Sequence, residues 1–281
     1  MAKTRRQTKK QDIDLERVTP PVAFDGSGNG VANNLKIIPI RPEEDEFNVA
    51  KELHPHLPDI WKGQLLCMVA PIRSSKSTTW NWLIHHDNAF NNLFGKNVTV
   101  ISNTIASDST SRFTYKKYKH GCYEQYNDKI ITDLIKSQKE KLKECEQIRI
   151  PTDYALIIDD CFGQFSKAAG GRKGRAAINF STRFRHYVKK PDGALVIFST
   201  QKYKDLDTCV RNNATGMMIS GNIRNDKEIS NIVEDYADTF GGKESFLNMF
   251  QRVQAAPYQW LYLKLDTTPP TAFLNFEEQL F

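Results

Sequence analysis

A lysine followed by a hydroxyl residue, Lys76-Ser77, stands at the head of a helix-like segment and could bind phosphate. The apolar run at residues 65–69 is short enough for a buried strand, and the turn at residues 70–75 joins it to the lysine. A strand, a loop and a helix in this order let backbone N–H groups surround a phosphate at the helix N-terminus. The pattern is that of a phosphate-binding loop, G-x-x-x-x-G-K-[ST], with both glycines replaced. A polar strand–helix turn is the alternative interpretation.

The two replaced glycines are the unusual feature of this loop. Ala70 stands at the first glycine position and Ser75 at the second. If the second position needs a left-handed backbone, a serine there costs about 1–2 kcal/mol. The hydroxyl of Ser77 could hold Mg²⁺. The predicted nucleotide-binding residues are Ala70, Pro71, Ile72, Arg73, Ser74, Ser75, Lys76, Ser77 and Thr78.

Two adjacent carboxylates follow the apolar run at residues 154–158. A hard cation prefers carboxylate oxygen, so Asp159 is the candidate ligand for Mg²⁺ together with Ser77. Asp160, one residue further on, could orient an attacking water or accept its proton. An apolar strand that ends in an acidic pair is the Walker B pattern. An acidic pair that only caps a turn is the alternative.

Three further candidate site residues come after or near the later apolar runs. Gln201 comes shortly after the run at residues 195–198, and its amide could bond both an attacking water and a γ-phosphate oxygen. Taken alone, a surface glutamine at a strand end explains this position as well. Arg183, Arg185 and Arg211 lie near predicted strand ends, and of these Arg185 and Arg211 are favoured. Either could be an arginine that a neighbouring subunit supplies to stabilise transition-state charge, although a surface salt bridge is the simpler interpretation of each.

These residues need a sheet to bring them together. Apolar runs alternate with stretches of helical spacing, which is typical of a parallel sheet covered by helices on both faces. Ligands of such sheets gather at the carboxyl ends of the strands, where the candidate residues fall. We predict strands at residues 65–69, 98–101, 154–158, 195–198, 217–219 and 260–265.

Composition and organisation narrow the class of protein. The 281 residues carry a net charge of +6, which is compatible with a polyanionic partner. The five cysteines form no C-x-x-C pair, which favours a reducing, intracellular compartment over a disulfide framework or a zinc site. No apolar segment approaches the roughly 18 residues that span a bilayer, so we predict no membrane span.

The chain divides into a basic N-terminal arm with a linker at residues 1–60 and one catalytic domain at residues 61–281. The arm is expected to be extended or partly disordered, and its basic cluster could contact nucleic acid or remain solvated. The glycine-rich basic segment at residues 166–175 could grip phosphates, or it could be a mobile solvent loop. Four aromatic residues after the phosphate-binding loop are expected in the core: Trp80, Trp82, Phe90 and Phe94.

Read in order, five short motifs resemble those of a known family: Lys76-Ser77, Asp159-Asp160, Arg185-His186, Ser199-Thr200-Gln201 and Arg211-Asn212. The family is the poxvirus-type group of genome-packaging ATPases of large double-stranded DNA viruses, within the FtsK/HerA superfamily of P-loop motors. The resemblance covers roughly residues 64–266. It implies a P-loop NTPase fold of the ASCE type, in which the strand ending at Gln201 lies between the strands that carry Lys76 and Asp160.

The resemblance also implies an activity and partners. The protein would be an ATPase that uses ATP and Mg²⁺ to drive double-stranded DNA, without regard to its sequence, into a capsid. It would work as a homo-oligomeric ring docked on capsid or portal-vertex proteins, at a viral assembly site in the host cytoplasm or nucleus or within the virion. The alternatives are another DNA pump of the same superfamily, or a nucleotide-binding, capsid-associated protein that has lost catalysis.

Overall fold

The computed structural model describes residues 53–161 and 174–281. Residues 1–52, which make up most of the predicted arm, lie outside the described residues. Residues 166–173 of the predicted phosphate-gripping segment at residues 166–175 also lie outside them. The division of the chain at residue 60 therefore stays a prediction. Within the described part, Leu57 and Ile60 are already buried against the core.

The described residues form one sheet with the strand order β3-β2-β4-β5-β1-β6-β7-β8-β9. The strands from β3 to β6 pair in parallel, and β7, β8 and β9 add antiparallel pairs at one end. The strands are β1 (Gln64–Val69), β2 (Val98–Ser102), β3 (Cys122–Tyr123), β4 (Tyr154–Asp159), β5 (Ala194–Thr200), β6 (Gly216–Ser220), β7 (Trp260–Lys264), β8 (Thr271–Leu274) and β9 (Glu278–Gln279).

The central strands are buried on both faces, which explains why their sequences are continuous apolar runs. Every residue of β1, β4 and β5 is buried. Along β1, Leu65, Cys67 and Val69 point into one apolar layer, while Leu66 and Met68 point into the other. This alternation follows from the two-residue period of a strand.

Helices cover both faces of the sheet. One layer contains α1, with Trp80 and Trp82 buried, and also takes in Phe90 and Phe94, so the core role predicted for these aromatics is confirmed. The other layer contains side chains from α3 to α7, among them Phe180 and the residues packed around it. The helices are α1 (Lys76–His85), α2 (Arg112–Lys117), α3 (Asp128–Glu144), α4 (Arg175–Ser181), α5 (Thr208–Asn213), α6 (Asp226–Tyr236) and α7 (Lys243–Gln254).

The predicted fold class is confirmed: this is an α/β fold with a mostly parallel central sheet, helices on both faces and the strand order of ASCE-type P-loop proteins. All six predicted strands are present, whereas β3, β8 and β9 were not predicted because they are short or partly exposed. None of the helices among residues 53–161 and 174–281 is long and apolar enough to cross a lipid bilayer.

The register of the three central strands decides what lies at the carboxyl edge. β5 pairs with β1 on one side, Val69 opposite Thr200, and with β4 on the other, Asp159 opposite Ser199. Parallel strands that end level with one another bring their following residues to one place. The residues after β1, β4 and β5 therefore meet at this edge of the sheet.

Candidate functional site

The loop between β1 and α1 has the backbone of a phosphate cradle. Arg73 has φ 61° and Ser75 has φ 62°, so two residues of the loop are left-handed. Left-handed residues in such a turn can direct successive N–H groups toward one concave side, which suits an anion. Ser75 is also the residue directly before α1, so the helix N-terminus faces the same space.

The strain expected at Ser75 is present, and a tertiary contact accompanies it. The left-handed backbone costs a serine about 1–2 kcal/mol relative to a glycine. The Ser75 hydroxyl donates to the carbonyl of Ser74 at 2.6 Å and accepts a 3.2 Å hydrogen bond from Trp260 Nε1. Trp260 is fully buried at the start of β7. A glycine would remove the strain but could not bind the indole, so the serine has a role that the loop sequence does not reveal.

A second contact supports the same loop from β6. Asn222, two residues beyond β6, donates from Nδ2 to Ser74 Oγ at 3.3 Å. Ser74 is 2% exposed. This contact and the Trp260 hydrogen bond attach the loop to the segment after β6 and to β7, where β6 and β7 are the two strands that follow β1 in the sheet order.

Lys76 is buried beneath the loop and points to the β4 side. Its Nζ donates to the carbonyl oxygens of Ala70 at 2.9 Å and Pro71 at 3.2 Å, and it lies 3.4 Å from Asp160 Oδ2. The Lys76 side chain is only 7% exposed. A lysine held in this way places a positive charge between the loop and the acidic strand end.

Asp160 connects the lysine to Gln201. Gln201 Nε2 donates to Asp160 Oδ2 at 3.3 Å, so a single carboxylate oxygen contacts both predicted partners. The backbone of Asp160 has φ 52°, and its N–H donates to the carbonyl of Ser199 in β5 at 2.9 Å. The resemblance implies that Gln201 lies beside a γ-phosphate, between Lys76 and Asp160. In the structure, the bend at the end of β4 brings Asp160 into contact with both of the other residues.

Asp159 has the properties of a cation ligand. It is 3% exposed, and Ser102 Oγ donates to its Oδ2 at 3.3 Å, while its Oδ1 is buried without a hydrogen-bond partner. Burial raises the pKa of the Asp159 carboxyl to about 6. The nearby Ser199 hydroxyl opposes this rise, the Asp160 charge adds to it, and the Lys76 charge and the Trp80 indole oppose it. A buried carboxylate oxygen with no partner is unfavourable unless a cation or a proton neutralises it.

Residues present in the cleft fit Mg²⁺ only in part. Ser77 and Asp159 both line the cleft and can supply two oxygens. No group of three or more His, Cys, Asp or Glu side chains suited to a metal exists among residues 53–161 and 174–281. The remaining ligands of a hard cation would have to be phosphate oxygens and water, as is usual for Mg²⁺.

The cleft above the sheet edge has a volume of about 800 Å³. Seven of the nine predicted nucleotide-binding residues, 72–78, line it with Asp159 and Asp160, whereas Ala70 and Pro71 lie below and hold Lys76. Gln201 is not among the lining residues, but it donates a hydrogen bond to Asp160, which is one of them. Lining residues that our site prediction did not include are Thr104, Ser107, Asp108, Thr110 and Tyr258.

Sequence signals for these additional residues differ. Asp108 follows β2, one of the predicted strands, and its carboxylate accepts from Thr110 N and Ser111 Oγ, both at 3.0 Å. The stretch of Thr104 and Asp108 after the second predicted strand is among those similar to the packaging ATPases, although no site role was predicted for either residue. Tyr258 and Trp260 come from the far end of the chain, and no local pattern connects them with residues 70–75.

The two predicted arginines lie away from the chain's own cleft. Arg185 is exposed, stacks over Phe184 and packs on Gly63, the residue before β1, which is at the opposite edge of the sheet. Arg211 forms an ion pair with Asp235 and lies over the Tyr203 ring, 4.7 Å from its centroid. Arg185 is therefore available to another molecule, whereas Arg211 is already bound within the fold.

The arrangement can bind an anion at the helix N-terminus and a cation at Asp159. Asp160, in contact with Lys76 and Gln201, lies where it can accept a proton from a water positioned between these groups. Anion, cation and base sites at one strand edge are the elements that a nucleoside triphosphate hydrolysis site needs.

Comparison with known proteins finds similarity in structure only. No family model matches the chain, and no curated protein matches its sequence. Among solved structures, the genome packaging NTPase B204 from Sulfolobus turreted icosahedral virus 2 in complex with AMP is 17% identical, with a TM-score of 0.49 over 75% of this chain and 96% of that one. Its sulfate complex gives 17% identity and a TM-score of 0.48, over 74% and 95% of the two chains. The pCW3 conjugation coupling protein TcpA is 11% identical, with a TM-score of 0.44 over 73% and 58%. At such identities and scores we base no functional argument on the likeness.

The conflict between backbone strain and the Trp260 contact at Ser75 can be measured. Ser75→Ala keeps the left-handed strain and loses both hydrogen bonds, whereas Ser75→Gly loses the bonds but relieves the strain. We expect the glycine variant to have a free energy of unfolding about 1 kcal/mol higher than the alanine variant, measured by urea denaturation.

The exposed Ser230 in the middle of α6 is the matched control. In an ordinary helix interior alanine is favoured over glycine by about 1 kcal/mol, so the order should reverse there. The same order at both positions would contradict the left-handed conformation of Ser75.

Proposed function

We propose that this chain is an ATPase that binds ATP with Mg²⁺ and uses its hydrolysis to move double-stranded DNA, as the packaging motor of a viral genome. The observation that carries the proposal is the insertion of β5 between β1 and β4, with Asp160 Oδ2 in contact with both Lys76 and Gln201. Three separate stretches of sequence supply these groups. Their contact is what a γ-phosphate site requires.

The residues predicted to act in hydrolysis have the following proposed roles. The N–H groups of residues 72–77 and the ammonium of Lys76 bind the β- and γ-phosphates. Ser77 and Asp159 hold the Mg²⁺, which when bound neutralises phosphate charge. Asp160 accepts the proton of the attacking water, and Gln201 positions that water and senses the γ-phosphate.

Lys76 must change partners when phosphate enters. Its Nζ now donates to two loop carbonyls and lies beside Asp160. A phosphate in the cradle offers a stronger, charge-assisted partner. Movement of Lys76 toward the phosphate would release Asp160 Oδ2 to act on water, which links binding to the availability of the base.

The first test is ATP hydrolysis by the full chain. We expect Lys76→Ala and Asp160→Asn each to lower phosphate release by about 100-fold or more. A positioned acid–base group such as Asp160 contributes about 10²–10⁴-fold, and a positioned charge or donor such as Lys76 about 10²–10³-fold. Phosphate release is measured with and without duplex DNA.

Asp226→Asn, at the exposed first turn of α6, is the matched control for loss of one carboxylate and should leave turnover unchanged. Equal phosphate release from the wild type and both site variants would favour the alternative of a nucleotide-binding, capsid-associated protein without catalysis.

A ring of identical subunits is part of the proposal, because Arg185, one of the two candidate arginines, lies at the opposite edge of the sheet from its own cleft. Arg185 is exposed there, and the described residues give it no ion pair. In a head-to-tail ring the same edge of one subunit can face the cleft of the next. Arg211, the second candidate, would first have to leave Asp235.

Mixing of variants tests whether the arginine acts in trans. Arg185→Ala should lower ATP turnover by about 10³-fold, the lower end of the range for arginine fingers. Adding the Lys76→Ala variant should restore part of the activity, because each Lys76→Ala subunit brings an intact arginine to an intact neighbouring cleft. Turnover is measured across mixing ratios.

Arg252→Ala removes an exposed arginine that pairs with Glu278 and serves as the control. Full turnover of Arg185→Ala alone, or a mixture no more active than its components, would rule out Arg185 as the arginine supplied in trans. Arg211→Ala in the same mixing assay tests the second candidate.

A basic segment within the described residues supports contact with DNA. Residues 109–123 contain no Asp or Glu, and Arg112, Lys116 and Lys119 are exposed. The segment lies beside the parallel part of the sheet, since Gly121 packs on the carbonyl of Val98 in β2. Exposed positive charges suit the phosphates of a duplex and carry no sequence preference.

Removing the positive charges of this segment should weaken the stimulation of ATP hydrolysis by DNA and leave hydrolysis without DNA unchanged. We expect the triple variant Arg112→Ala, Lys116→Ala, Lys119→Ala to lose most of the DNA-stimulated phosphate release and to keep the basal rate. The salt dependence of DNA binding should also become less steep, since fewer counterions are released.

The matched control removes three exposed lysines of α3, Lys136, Lys139 and Lys143, whose neighbours include Glu140 and Glu144. The net charge falls by the same amount in both triple variants. An equal loss of DNA stimulation in both would show that net charge, and not this segment, attracts the DNA.

The wider setting follows from the sequence resemblance. We propose that the ring docks on capsid or portal-vertex proteins and acts at a viral assembly site in the host cell or in the virion. Another DNA pump of the same superfamily would use the same cleft residues. The assays above therefore test the motor chemistry and its DNA dependence, which both versions share.

A further inference from the structure

The cleft has two chemically different ends, because the strand order fixes what lies on each side of Lys76. Toward β4 and β2 it is lined by Asp159, Asp160 and Asp108. Toward β6 and β7 it is lined by Tyr258, two residues before β7 begins. One end is acidic and polar, and the other offers an aromatic ring.

Tyr258 is an unusual residue in the described part of the chain. Its side chain is 60% exposed, whereas most large apolar side chains there are buried. Its backbone has φ 62°, a conformation that is rare for an aromatic residue. Left-handed residues that are not glycine cluster at ligand sites, where the surrounding structure holds them in place.

The position of Tyr258 relative to the phosphate cradle is secured by its neighbour in sequence. Trp260 is buried and donates from Nε1 to Ser75 Oγ at 3.2 Å. The backbone N–H of Trp260 donates to Asn275 Oδ1 at 3.0 Å, and its carbonyl accepts from Asn275 N at 2.8 Å. The segment that carries Tyr258 is therefore tied both to the cradle and to β8 and its following turn.

The direction of a bound nucleotide follows from these two ends. The γ-phosphate must lie toward Asp160, because Asp160 is the proposed proton acceptor and Gln201 is in contact with it. The β-phosphate lies in the cradle at Lys76. The ribose and the nucleobase then extend away from β4, toward the end of the cleft that Tyr258 lines.

We propose that Tyr258 is the stacking surface for the base of the bound nucleotide. This inference rests on the proposed function, since it names a further residue of the same nucleotide site. An aromatic ring on a base contributes to affinity for every base, because each base has an apolar π-face. An exposed ring at the mouth of the cleft becomes covered when the base binds.

The experiment compares two ligands that share phosphates and differ in the base. ATP and inorganic tripolyphosphate are each titrated, with Mg²⁺, into the full chain as wild type, Tyr258→Ala and Tyr258→Phe. We expect Tyr258→Ala to bind ATP about 10-fold more weakly, and tripolyphosphate as tightly as the wild type. Tyr258→Phe keeps the ring and should bind both ligands like the wild type.

Two controls separate this inference from the proposed function. Tyr123→Ala removes another exposed tyrosine, on β3 at the far edge of the sheet, and should change neither affinity. Lys76→Ala should weaken both ligands, because both use the cradle. Melting curves of all variants check that the fold is intact, and the exposure of Tyr258 predicts little change in melting temperature.

Each outcome decides the matter. Unchanged ATP affinity in Tyr258→Ala overturns the stacking role, and so does an equal loss of ATP and tripolyphosphate affinity, which would indicate a distorted cradle. If those results occur while Lys76→Ala still weakens both ligands, the nucleotide site stands and only the role of Tyr258 fails. A wild-type chain that binds neither ligand overturns both.

Discussion

The site depends on one structural constraint, the placement of β5 between β1 and β4. Backbone hydrogen bonds along both sides of β5 hold the ends of the three strands level. Lys76, Asp160 and Gln201 come from parts of the chain far apart in sequence, and only this pairing brings them into contact. Because all three strands are buried on both faces, burial of apolar surface stabilises the arrangement.

The phosphate loop illustrates how tertiary structure can support a loop whose sequence looks unfavourable. Glycine is the usual residue where a backbone must be left-handed, because it has no Cβ. Here Ser75 takes that conformation, and its hydroxyl binds the indole of Trp260. The hydrogen bond offsets part of the strain and ties the loop to β7. A departure from the usual motif is thus compatible with a working cradle, and the same tie positions the segment of Tyr258.

Charge is distributed over the two edges of the sheet in a way that suits an assembly. The cleft at the carboxyl edge contains the buried Asp159 and the partly exposed Asp160, and burial together with the Asp160 charge raises the pKa of Asp159 to about 6. Arg185 is exposed at the other edge, while Arg211 is neutralised by Asp235. Arg185 lies outside the cleft of its own chain, so the proposed role of this arginine places a neighbouring subunit at the site.

The sequence by itself determined the fold class, the six principal strands and the residues at the ends of β1, β4 and β5. It could do so because buried parallel strands are continuous apolar runs and because ligand residues follow them directly. It did not reveal Trp260, Asn222 or Tyr258, nor that Asp160 lies between its two partners. These depend on side chains distant in sequence and on a left-handed turn, and only the tertiary structure, through the position of β6 and β7 beside β1, decided them.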